Sequence, residues 1–183
     1  NMHRTIKQYL IIAGSAAIFS ACADQTPLSP ELMEVATAGS SARAASADEA
    51  RAIATIRAAT AKYHDLDSAI ADGFVLLHPC EVRPGEGPVG EVWVHFGRLL
   101  DGVIDPQTPD ALVYEPGGKN GRPTLVGAEF AIPYTMWSDP SPPEFLGHEF
   151  QPEDEFGVWG LHVWIWRHNP EGMFAESNPR VSC

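Results

Sequence analysis

F-G-V-W-G-L-H-V-W-I-W-R-H-N, residues Phe156 to Asn169, is the stretch where apolar bulk, strand preference and chemically useful side chains are most concentrated. Aromatic and β-branched residues crowd a short run bounded by Gly157 and by Asn169-Pro170, the pattern of a buried central strand with turn-forming ends. Side chains alternate along a strand, so Trp159, Leu161, Val163 and Ile165 are expected on one face and Gly160, His162, Trp164 and Trp166 on the other. The first face is plain core. The second carries a histidine among indoles, and the functional argument starts from it.

Upstream of this strand the pattern changes from helical to strand-like. Ser46 and Glu49 are spaced as a capping box, and Ile53, Ile56, Thr60 and Tyr63 recur at helical spacing. Asp65 can cap a second short helix over residues 66–71, with Gly73 in the left-handed position that ends it. Strands are then predicted over 74–77, 91–96, 110–115 and 123–133. On the second, Glu91, Trp93 and His95 oppose Val92, Val94 and Phe96; on the fourth, Leu125, Gly127, Glu129 and Ala131 oppose Thr124, Val126, Ala128, Phe130 and Ile132. E-P-G-G-K-N-G-R, residues 115–122, is a hairpin connection. Residues 134–155, rich in proline and acid, read as a long covering loop. Helices first and strands afterwards predict an α+β fold: an N-terminal helical segment on a mostly antiparallel sheet of about five strands. The aliphatic strand faces are expected to pack on the helices, and the aromatic and histidine faces to look away.

With 183 residues and 44% hydrophobic content, the chain can bury one sizeable core. Its N-terminus has the parts of an export signal: His3, Arg4 and Lys7, an apolar run from Tyr9 to Phe19, then Ser20-Ala21-Cys22. F-S-A-C at residues 19–22 resembles the lipobox of bacterial lipoproteins, with Phe19 where that family usually has Leu or another aliphatic residue. The resemblance covers the leader only. It implies that Cys22 is lipidated, and Ala23 rather than an aspartate after it implies an outer-membrane address. The alternative is an ordinary secretory signal followed by an incidental cysteine. Residues 1–21 are thus expected to be a signal peptide, 22–45 a flexible Ala/Ser/Thr/Pro tether, and 46–183 a single globular domain in the periplasm or at the cell surface. The formal charge is −12, and removal of Arg4 and Lys7 makes it more negative still. So acidic a chain is unsuited to nucleic acid or to an anionic lipid surface, which leaves the lipid anchor as the only membrane contact.

Cys80 and Cys183 are the remaining thiols of an exported chain, and a bridge between them is the natural pairing. The alternative makes Cys80 a nucleophile with His78 as its base.

For the site, His95 and His162 on nearby strands, Glu129 alone in an apolar strand, and His148 or Glu149 from the covering loop form a candidate metal set. Two imidazoles and a carboxylate leave coordination positions open and suit zinc or non-haem iron. The bland alternative is a hydrogen-bonded histidine and a glutamate paired with Arg98, Arg122 or Arg167. A second functional class is also open. Trp93, Trp164 and Trp166, with Tyr114, Tyr134 and Trp137, would make a stacking platform for a sugar or other small ligand, in a binding lipoprotein without chemistry. A third is an accessory subunit tethered beside a membrane complex. The chain has no G-x-S-x-G elbow, P-loop, C-x-x-C or G-x-G-x-x-G after a strand, so whether it is an enzyme is left open.

Overall fold

The apolar period of the N-terminal segment builds its helical layer. A computed structural model describes residues 46–183; the expected signal peptide, Cys22 and the tether lie outside the described residues. Helix α1 covers 46–60 and runs into a 3₁₀ turn, Ala61–His64. Ile53, Ile56, Thr60 and Tyr63, picked out by their spacing, are all buried. Asp65 caps helix α2, Leu66–Ala71, by accepting from the Asp67 N–H, and Gly73 at φ 101° turns the chain into the sheet.

Six antiparallel strands follow: β1 Val75–Arg83, β2 Gly87–Val94, β3 Ala111–Glu115, β4 Thr124–Pro133, β7 Gln151–Glu153 and β8 Val158–Val163. Their order is β1-β2-β3-β4-β8-β7, and a short helix α3, Phe96–Leu99, joins β2 to β3. The expected covering loop is not all loop. It contains a small separate hairpin, β5 Glu144–Phe145 with β6 His148–Glu149, and the edge strand β7. Pro152 is tolerated in β7 because an edge strand needs its N–H on one side only. The expected loop over 84–90 is likewise shorter, since β1 and β2 extend to Arg83 and Gly87.

Register decides which faces match. Trp93 pairs with Leu112 and Leu112 with Ala128; Val94 pairs with Ala111, Ala111 with Glu129, and Glu129 with His162. The first row faces the helices. Leu112 and Tyr114 pack with Tyr63, Ala69 and Phe74, while Ala128, Phe130, Leu161 and Val163 pack with Ile53 and Ile56. On β2 the expectation is therefore reversed: Trp93 turns to the helical side, and Val92 and Val94 line the His162 side. A bulge reverses part of β4 as well. Val113 pairs with Gly127 but Tyr114 with Leu125, so Leu125 points to the helices and Val126 away from them.

β8 is shorter than its sequence pattern. Past Val163 the Trp164 N–H donates to the Met173 carbonyl, and those of Trp166 and Arg167 both donate to Val126. Trp166 then packs on the helical side, where its indole N–H reaches Thr60 Oγ1 at 3.1 Å, while Trp164 keeps to the His162 side. The alternation expected through Trp166 ends at the strand end.

The sheet curls until its two edges meet across the His162 face. Arg83 of β1 donates to both Glu153 oxygens of β7, at 3.0 and 2.8 Å, and His78 stacks on Phe156 with ring centres 5.4 Å apart. The C-terminal tail closes one end of the curl, with Val181 packed against Val113, Val126 and Trp164. A Cys80–Cys183 disulfide, Cα atoms 5.2 Å apart, pins that tail to β1. Among the described residues no helix is long and apolar enough to cross a membrane, and the disulfide fits an oxidising, extracytoplasmic compartment.

Candidate functional site

The enclosed face brings its polar groups together by strand register. Glu129 and His162 are direct cross-strand partners of β4 and β8, both buried, with Glu129 Oε2 3.7 Å from His162 Nε2. Gly160 is what makes room beside them: a Cβ there would meet Glu129 Oε1 at 3.0 Å and Glu153 Cγ at 3.1 Å. Glu153 arrives from the edge strand β7 and Glu176 from the tail, its Oε2 3.8 Å from His162 Nδ1. Glu153, His162 and Glu176 can each place one ligand atom within 4.8 Å of the other two, so this His/Glu/Glu cluster could hold a metal ion.

The electrostatics of the group are unusual for an interior. Neither ring nitrogen of His162 has a hydrogen-bond partner among the described residues, nor has Glu176 Oε1. Burial by itself lowers the affinity of His162 for a proton, but Glu129, Glu176 and Glu153 together outweigh it and hold the imidazole above its usual range. Burial pushes the Glu129 carboxyl up, opposed mainly by His162. Asp110, at the start of β3, is pushed up to about 7, chiefly by burial and against the pull of the Ala131 N–H that donates to its Oδ2 at 2.9 Å. Arg83 orients Glu153 without exhausting it, since each carboxylate oxygen has two acceptor sites.

A cavity of about 120 Å³ opens on this face, lined by Asp110, Glu129, Glu153 and His162 and by aliphatic walls such as Val92, Val94, Ala131 and Val158. His78 and Arg83 of β1 stand at its other side.

Of the candidates named from sequence, the structure brings Glu129 and His162 together and places His95 and His148 elsewhere. β2 ends at Val94, and His95 caps α3, its Nδ1 accepting from the Arg98 N–H at 3.2 Å and its ring edge-on to Phe74. His148 sits in the small hairpin, stacked on Phe174 at 3.8 Å, with Glu149 exposed beside it. Trp93, Trp164 and Trp166 do not share a surface, and none is exposed. Their indole N–H groups are taken by Glu91, Ala175 and Thr60 respectively. The arginines offered as partners for Glu129 are engaged elsewhere: Arg98 with Pro109 and Tyr63, Arg122 with Asp67, Arg167 with Glu115.

Glu153 and Glu176 were not singled out from sequence. Glu153 lies in P-E-D-E-F-G and Glu176 in A-E-S-N, runs without periodicity, and nothing in either marks one carboxylate as the buried one. No family model, no curated protein and no solved structure matches the chain.

Proposed function

We propose that the domain is a divalent-metal centre, held by His162, Glu153 and Glu176 with Glu129 beside them, and carried outside the cytoplasm on a lipid anchor at Cys22. One observation carries the reading: a buried imidazole whose two nitrogens make no hydrogen bond, faced at 3.7 and 3.8 Å by Glu129 and by Glu176, whose Oε1 is itself buried without a partner. Such groups are costly in an interior unless something pairs them. Charge supports the same conclusion. With the imidazole neutral and the three carboxyls ionised, as metal binding requires, Glu129, Glu153 and Glu176 would face one half-buried cation, Arg83, and a divalent ion would balance the two negative charges that remain.

One imidazole and two carboxylates would leave coordination positions open on a bound ion. That donor set suits zinc or iron(II), and an ion with an open position can polarise a bound small molecule or activate a water. Glu129, within reach of the same space and holding a proton more tightly than an ordinary carboxyl, has the properties of an acid–base partner. The lipobox-like leader and the disulfide support a periplasmic or surface location, with the outer membrane favoured by Ala23.

The test is elemental analysis of the intact chain, purified without a His-tag, beside the His162→Ala, Glu176→Gln and His95→Ala variants. The expected result is near-stoichiometric zinc or iron in the parent and in His95→Ala, and a loss in the other two. Substoichiometric metal in the parent, or equal metal in all four proteins, overturns the proposal.

A further inference from the structure

Asp110 stands on the wall of the same cavity, across Glu129 from His162, and it is 1% exposed. Its Oδ2 is held by the Ala131 N–H, while its Oδ1 is buried without a partner. Nothing in the metal cluster accounts for that oxygen. The walls around it are aliphatic, with Val94, Ala111, Leu99 and Ala131 all lining the cavity. A bare oxygen in a buried apolar recess is a recognition point awaiting one hydrogen bond.

We infer that the cavity binds a small aliphatic alcohol, or the hydroxyl-bearing end of one, with its O–H on Asp110 Oδ1 and its alkyl part against Val94, Ala111 and Ala131. A hydroxyl both donates and accepts, so it satisfies Asp110 whether or not the carboxyl carries a proton. An alkylammonium fits less well. Its charge must leave water for walls that are mainly aliphatic, and the Arg83 cation already stands at the other side of the cavity. The cavity is small, about 120 Å³, and mainly aliphatic around Asp110. That suits a short alkyl chain better than a sugar ring, whose many hydroxyls the aliphatic wall would leave unpaired. The inference goes beyond the metal centre and does not rest on it, because Asp110 and the aliphatic wall are present with or without an ion at His162.

The experiment is a titration of the isotope-labelled intact chain, followed by amide NMR, with 1-butanol, 1-fluorobutane and butylammonium, each in chelator-treated and in zinc-loaded protein. Saturable shifts centred on the amides of Ala111 and Ala131 are expected with 1-butanol in both preparations. 1-Fluorobutane, which has the chain but not the donor, should bind about tenfold more weakly, the worth of one buried hydrogen bond. In Asp110→Leu that preference should fall to within about twofold. In Ala131→Leu, which fills the recess and leaves the carboxyl in place, the shifts should disappear. Should Asp110→Leu not fold, the 1-fluorobutane comparison in the parent and the Ala131→Leu result still decide. No saturable shift with 1-butanol, tighter binding of butylammonium, an unchanged preference in folded Asp110→Leu, or undiminished binding in Ala131→Leu each overturns the inference. A chain that binds alcohol but no metal separates this proposal from the metal reading, and the converse result separates them the other way.

Discussion

His162, Glu129 and Asp110 all hold protons more tightly than the same side chains do in water, for two different reasons. Burial away from solvent raises the two carboxyls, whereas His162 is raised by the carboxylates around it in spite of its burial. The consequence for stability has one sign. A folded-state value above the unfolded one means the native chain binds more protons, so the stability is fully present below the unfolded value and is lost as pH rises through the folded one. For Asp110 the window runs from its ordinary value near 4 up to about 7. Metal-free protein should therefore be less stable to urea at pH 8 than at pH 5. Asp110→Asn, which can still accept from the Ala131 N–H, should recover part of the loss, at most about 3 kcal/mol at roughly 1.4 kcal/mol per pH unit. Equal pH slopes for the parent and Asp110→Asn would show that this carboxyl carries none of the effect.

At the scale of elements, the clasp between β1 and β7 encloses the site. Two edge strands with unpaired backbone would ordinarily invite association; here they turn towards each other, and the bidentate Arg83–Glu153 pair spans the gap. Burial tends to weaken the guanidinium's hold on its proton, but Glu153 and Glu81 more than offset that. Removing one partner strands the other, so Arg83→Ala should cost about 3 kcal/mol or more in metal-free protein, measured by urea unfolding. Adding Glu153→Gln to Arg83→Ala should restore part of that stability, because no buried charge is then left unpaired. Simple addition of the two single losses would show that the strands close without the pair. Arg83→Lys should rescue poorly, since an ammonium cannot reproduce the two parallel hydrogen bonds.

Over the whole molecule, the tail is both a structural plug and the source of Glu176. It is tied to the sheet by the Asn178 N–H to the Pro88 carbonyl, by Val181 in the core, and at its end by the disulfide across 103 residues. Closing so long a loop is worth about 4 to 5 kcal/mol on the chain-entropy account, an upper figure. The paired Cys80→Ser/Cys183→Ser variant should unfold at lower denaturant, losing about 2 to 4 kcal/mol, with a steeper urea dependence because the unfolded chain is no longer cross-linked. Two free thiols titrated in denatured, non-reduced parent protein would show that the bridge is not formed and would remove the argument for an oxidising compartment.

The amino-acid sequence by itself determined the helix at Ile53, Ile56, Thr60 and Tyr63, the cap at Asp65, the turn at Gly73, the Cys80–Cys183 pairing and the α+β class. Each of these rests on local spacing, or, for the cysteines, on their number. It also singled out Glu129 and His162 as the odd polar residues in apolar strands, because a charge in such a run is visible without knowing its neighbours. What only the tertiary structure decided is which faces coincide. The end of β2 at Val94, the register that sets Val94 and not Trp93 opposite Ala111, and the end of β8 at Val163 turned His95, Trp93 and Trp166 away from the site, and the bulge at Val126 turned Leu125 towards the helices. One residue of slip exchanges the faces of a strand, and alternation within a strand says nothing of its phase relative to the next. Glu153 and Glu176 lay hidden for the same kind of reason. They come from an edge strand and an irregular tail, and it is the curl of the sheet and the disulfide at the end of the tail, contacts far apart in sequence, that bring them to His162.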